Sequence, residues 1–199
     1  MEKWIDFYEP FFSTRDTAAD FVAACEARSD ATEAAMLIMH QTQRLVSLAD
    51  DIVKIRPQRD SLQVLFLAIC AEDVAKLQDG FAQEGKSKSY TRKFFEVFVS
   101  SNDKNQLEAA LVAEDAHGAD RTLKLEEVVD YLYGIRCDVV HEGRYWEFFF
   151  CTGEYTTYST NSQVGVRIGY SQFRDIIVRA AIAAALSRMP KTTNGNDAA

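Results

Sequence analysis

The sequence predicts a mainly α protein: an antiparallel helical bundle with a β-hairpin inserted before the C-terminal helix. Three observations carry this. Apolar residues recur at helical spacing over most of the 199 positions. The period changes to two only between residues 145 and 169. There Trp146, Phe148 and Phe150 alternate with Glu147 and Phe149, and Val164, Val166 and Ile168 alternate with Gly165 and Arg167. The composition, 47% apolar and 26% charged, is that of a globular domain and excludes wholesale disorder.

Taken in order, residues 1–28 form a strap and a short helix. The strap carries Trp4, Phe7, Tyr8, Phe11 and Phe12, whose rings bury area against a core. The helix runs from about Thr14 to Ala27 with Phe21, Val22 and Cys25 inward. Asp30 and Glu33 have capping-box spacing and open the next helix, whose stripe is Ile38, Leu45, Leu48, Ile52 and Ile55. Pro57 ends it. A helix from about Gln58 to Gly80 follows, with the stripe Leu62, Phe66, Ile69, Asp73 and Leu77. The polar stretch Glu84–Lys93 reads as a loop, leading to a short helix with Phe94, Phe95, Phe98 and Val99. Another short helix carries Leu107, Ala110 and Leu111, and the loop Glu114–Arg121 comes next. Thr122 caps a long helix to about Glu142, where Gly143 is placed to end it. After the hairpin, Ser171 starts a last helix, Gln172–Met189. The reading is one domain over residues 1–189 with a disordered tail at 190–199.

The formal net charge of −8 excludes a protein built for non-specific coating of nucleic acid, while leaving room for a local phosphate site. The four cysteines are scattered without a C-x-x-C pair and read as reduced thiols, so the expected setting is the cytoplasm. No targeting or membrane segment is expected: Met1–Asp6 mixes charges, and the apolar run Ile176–Leu186 is broken by Arg179 and far short of the ~20 residues that span a bilayer.

The informative stretch is Tyr133-Gly-Ile-Arg136-Cys-Asp-Val-Val-His141-Glu-Gly143 at the end of the long helix. Val128, Leu132, Ile135 and Val139 make its core stripe, and Val129, Tyr133 and Val140 a second apolar shoulder. Arg136 lies at the seam and must find an anion or acceptors. The C-terminal dipole favours a charged His141, and Asp138, three residues earlier, is placed to reach it. A proton shuttle beside a permanent cation suits cleavage of a phosphodiester through the neighbouring ribose hydroxyl.

This stretch resembles the Arg-x4–6-His motif of the HEPN superfamily, and residues 30–142 resemble its pattern of helices. The family often has Asn, Asp or His directly after the arginine; here Cys137 stands there. The resemblance implies a helical bundle working as a homodimer that brings two motifs into one cleft. It implies a metal-independent endoribonuclease in a toxin–antitoxin, phage-defence or stress setting, with RNA as substrate and an antitoxin or other regulatory protein as a further partner. Arg136 would hold the phosphate and His141 would be the acid and base, supported by Tyr133, Cys137 and Asp138. The alternative within the family is a non-catalytic module that binds nucleotide, RNA or protein.

Asp73, with Glu72 beside it, puts an acid in an apolar stripe. It needs a cation as a structural partner, or else Glu72 or Asp73 faces and orients Arg136. The run Lys86, Lys88, Tyr90, Arg92 and Lys93 is a solvated loop or the wall of an RNA path with Tyr90 stacking on a base. Cys137, four residues before His141, could meet it, but a thiol nucleophile there is disfavoured by the same dipole. His40 and His117 have no partners at metal-ligand spacing, so neither a metal nor a cofactor is expected.

Overall fold

The computed structural model describes residues 1–27, 32–80, 85–114, 119–153, 157–158 and 164–189. The expected tail at 190–199, the Asp30 half of the capping box and His117 lie outside them.

The chain is mainly helical, as its periodicity predicts. Helices α1 (Glu2–Tyr8) and α2 (Arg15–Glu26) form the N-terminal strap, joined by a 3₁₀ turn at Glu9–Phe11. Thr14 caps α2, accepting from the Thr17 N–H while Thr17 returns the contact. Phe21, Val22 and Cys25 point inward, and the Tyr8 hydroxyl donates to the Met39 carbonyl at 2.8 Å. Helix α3 (Glu33–Ile55) stops two residues before Pro57, and α4 (Asp60–Gln78) returns alongside it. Helices α5 (Ser87–Val97), α6 (Ser101–Ala110), α7 (Leu125–Cys137) and α8 (Tyr170–Ser187) complete the bundle.

Helix α4 is the centre: α3, α5, α7 and α8 all pack against it. It is apolar on every side, which is what a central helix needs. That also explains one departure from the sequence reading. Leu62, Phe66, Ile69 and Asp73, expected to face the core, are only half-buried, while Val64, Leu67, Ala71, Glu72, Val74 and Ala75 are buried. A helix apolar all round gives periodicity no unique inward direction. On α3, Ile38 and Leu45 are buried as expected, but Leu48 and Ile55 are exposed.

A small antiparallel sheet in the order β2-β1-β4-β3 joins β1 (Leu111–Glu114), β2 (Asp120–Thr122), β3 (Thr157–Tyr158) and β4 (Val164–Val166). Val112 pairs with Thr122 on one side and Gly165 on the other. The expected hairpin is thus corrected. Its second strand is in place, but its partners are β1 and β3 rather than residues 146–150. Residues 146–150 form no strand because they are held elsewhere: Phe148 N–H donates to Ser61 Oγ at 3.2 Å and Phe150 N–H to Asp60 Oδ2 at 2.8 Å. Leu111 opens β1 instead of closing a helix, with φ −121° and ψ 131°, and β2 lies in what reads as a loop. Both strands are three or four residues long, too short for alternation to register.

Helix α7 begins at Leu125, not Thr122. Glu127 accepts from the Lys124 N–H at 2.9 Å and from both Arg121 terminal nitrogens at 2.8 and 3.0 Å. The Arg121 hydrogen bonds, then the backbone one, hold the Glu127 carboxyl at about 2, below its ordinary 4.5. A carboxyl lowered on folding contributes stability above its unfolded value, and that contribution is lost as pH falls through the folded value. Glu127→Gln should therefore melt below the wild type at pH 7, and the two melting curves should converge by about pH 2. A gap unchanged across that range would contradict the assignment.

Candidate functional site

The motif lies where α7 changes its winding. After Cys137 the helix continues as a π turn, Asp138–Glu142, closed by the Gly143 N–H on the Asp138 carbonyl. Gly143 adopts φ +66°, the left-handed position expected of a glycine just past a helix end. Single π turns inside α-helices are rare and cluster at functional sites. Wider winding turns His141 closer to the direction of Arg136, five residues earlier, than an α-helix would.

Arg136 meets the acid expected from the neighbouring helix. Its Nη2 lies 3.5 Å from Glu72 Oε2, with the Glu72 side chain 5% exposed and that of Arg136 18%. Lys76, one turn along α4, donates to the other Glu72 oxygen at 2.5 Å. The guanidinium also lies 5.6 Å from the Tyr133 ring centroid. Its Nε is buried without a hydrogen-bond partner among the described residues. An arginine has five donors, so one contact to Glu72 leaves Nη1 uncommitted. Burial first, then the neighbouring Cys137 thiol, pushes the Tyr133 phenol upward.

The other acid takes no part. Asp73 is half-buried; burial raises its carboxyl, Lys76 and Arg44 pull it back, and Glu72 pushes it up. Of the two acids offered by the sequence, Glu72 is the one at Arg136.

His141 is exposed and makes no side-chain hydrogen bond or ion pair among the described residues. The expected contact with Asp138 is corrected: Asp138 faces Arg144 Nη2 at 3.4 Å. Arg144 also pairs with Glu142, and with Glu147 at 3.7 Å. One arginine gathers two acids of the turn and one beyond it, and leaves the imidazole to solvent.

The basic run is not a loop but the first half of α5, and its charges are spent. Asp130 on α7 takes Lys88 at 3.0 Å and Arg92 at 2.7 and 2.9 Å. Arg92 also reaches Glu126 at 3.0 Å, and Lys93 reaches Asp79 at 2.5 Å. Tyr90 is buried in the core and has no face free to stack on a base. Lys86 remains exposed at the helix start. Three acids face these cations across the α5 packing surface: Asp79 just past the end of α4, and Glu126 and Asp130 on α7.

Among the described residues, no group of three His, Cys, Asp or Glu side chains gathers at metal-binding range, and no helix is long and apolar enough to cross a membrane. His40 is stacked on Trp4, with ring centroids 4.3 Å apart, and pairs with Glu26. A groove of about 610 Å³ between α6 and α8 holds the Asp103–Arg179 pair, at 2.7 and 3.1 Å, and includes no motif residue.

One feature at the site escaped the sequence reading. Lys76 is the second cation on Glu72, a pairing that Glu72 and Lys76 signal by their i, i+4 spacing. The exposed aromatics Tyr145 and Trp146, read as hairpin residues, follow the π turn directly, and Arg59 stands 5.6 Å from the Tyr145 ring centroid. A scan against protein-family models, a search of curated proteins and a search of solved structures each find no match to this chain.

Proposed function

We propose that this chain is a metal-independent endoribonuclease of the HEPN type, acting as a homodimer with Arg136 and His141 at a composite site. The observation that supports it best is the division of labour between the two residues. Arg136 is held at the helix seam by buried Glu72 with donors to spare, and His141 is exposed and unpartnered at the end of the π turn.

In the proposed step, neutral His141 takes the proton of a ribose 2′-hydroxyl, and O2′ attacks the adjacent phosphorus. The P–O5′ bond breaks, and the leaving oxygen takes a proton from His141 of the partner subunit. The products are a 2′,3′-cyclic phosphate and a 5′-hydroxyl. Arg136 Nη1 stabilises charge on the non-bridging oxygens, where an arginine is suited by its planar fork.

The second reading is a non-catalytic module, favoured by one observation: the Glu72 carboxylate already takes part of the Arg136 charge. Incubation of mixed tRNA and mRNA with EDTA separates them. Wild type should cleave, His141→Ala should be slower by about 10²–10⁴-fold, and Arg136→Ala by about 10²–10³-fold, each variant being shown folded. Intact RNA with folded, dimeric wild type favours the module.

A further inference from the structure

We infer that Tyr145 and Trp146, with Arg59, form a stacking platform for single-stranded RNA beside the motif; this rests on the nuclease reading above for its location, not for its test. The rings are 39% and 48% exposed, and Val140, five positions before Tyr145, is 50% exposed. They sit edge to face at 5.2 Å, so neither ring covers both faces of the other, and Arg59 stands over one face of Tyr145 at 5.6 Å. A run of exposed apolar groups this close together marks a binding surface.

Charge says what it binds. In an acidic chain, most described cations near the motif already meet a carboxylate: Arg136 in part and Lys76 on Glu72, Arg144 on three acids, Lys88 and Arg92 on Asp130. Arg56 and Arg59 are the exceptions in the turn between α3 and α4. Each donates only to a neighbouring backbone carbonyl, and neither meets a carboxylate among the described residues. Exposed rings beside an arginine that meets no carboxylate among the described residues are the combination that takes a single strand, bases on the rings and phosphate on the guanidinium group. A duplex keeps its bases stacked on one another and cannot use such rings.

The platform also has the right reach. Tyr145 stands four positions after His141, so the chain places the two within about 14 Å. Gly143, with φ +66°, turns the chain between them, and the Phe148 N–H bond to Ser61 ties the far side to the start of α4, beside Arg59. A strand seated on the rings would therefore run past the imidazole.

The test is fluorescence anisotropy of a labelled 12-nucleotide RNA with the full chain carrying His141→Ala, so that the probe survives. This parent should prefer the single strand to the same sequence as a duplex. Adding Tyr145→Ala or Trp146→Ala should weaken single-strand binding about tenfold, while Trp146→Phe keeps it. Arg59→Ala should weaken it and flatten the dependence of log K on log salt by about 0.7. Single-strand affinity unchanged by the alanine variants, at unchanged melting temperature, overturns the platform. So does no binding by the parent, or a Trp146→Ala effect confined to self-association. Wild type that binds but leaves RNA intact instead defeats the nuclease reading and keeps the platform.

Discussion

Glu72→Ala should lower stability by about 3–5 kcal/mol, because it strips one carboxylate from two cations that stay largely buried. For a chain of this size that corresponds to a melting temperature lower by roughly 10 °C. The loss comes mainly from Arg136, since Lys76 has a long stem along which its ammonium can reach water. A double replacement sharpens the test. Glu72→Met with Arg136→Met removes both charges and fills the space, and apolar replacement of a buried pair is often neutral or better. It should recover most of the stability lost in Glu72→Ala and none of the cleavage. Urea unfolding of the three proteins measures it; a single variant within about 1 kcal/mol of wild type would mean that the ion pair carries no such weight.

Phe148→Ala should cost about as much, roughly 3–5 kcal/mol. The ring is fully buried and packs edge to face on Phe150 at 5.0 Å and against Tyr131 at 6.2 Å. It also anchors the irregular segment between the π turn and the sheet, whose backbone is otherwise held by hydrogen bonds to Ser61 and Asp60. Loosening that anchor should open the segment to proteolysis at Arg144 and Tyr145 before the bundle melts. Cleavage there no faster than in wild type would show that the two backbone contacts suffice.

The helices were legible because amphipathic spacing and stop signals are local. Pro57 ends α3, Gly143 ends the motif helix, and Phe21, Val22 and Cys25 face inward as their spacing says. The sheet was not, because β1 and β4 pair Leu111–Ala113 with Val164–Val166 across more than fifty residues, a choice no window of sequence contains. The site was half legible. The Arg136–His141 spacing and an acid on the neighbouring helix could be read directly, and Glu72 meets Arg136. Which of two adjacent acids turns inward could not be read from a helix that is apolar all round. Nor could the neutralised basic run: Lys88 and Arg92 look free in sequence, yet their partner Asp130 lies about forty residues away.

The long-range strand pairing has a consequence for how the site lives and fails. Val112 and Gly165 clasp the two ends of the chain segment that contains α7, the π turn, Tyr145 and Trp146. That segment is a closed loop, and closing it costs entropy that rises only slowly with its length. A non-local pairing of this kind forms after local helices, so the segment is expected to gain its hydrogen-exchange protection later in refolding than α3 and α4. Insertions in the exposed parts of the loop should cost little, whereas a weakened β1–β4 ladder would leave Arg136, His141 and the aromatic pair held only by the packing of α7 on α4 and by the Phe148 and Phe150 backbone contacts.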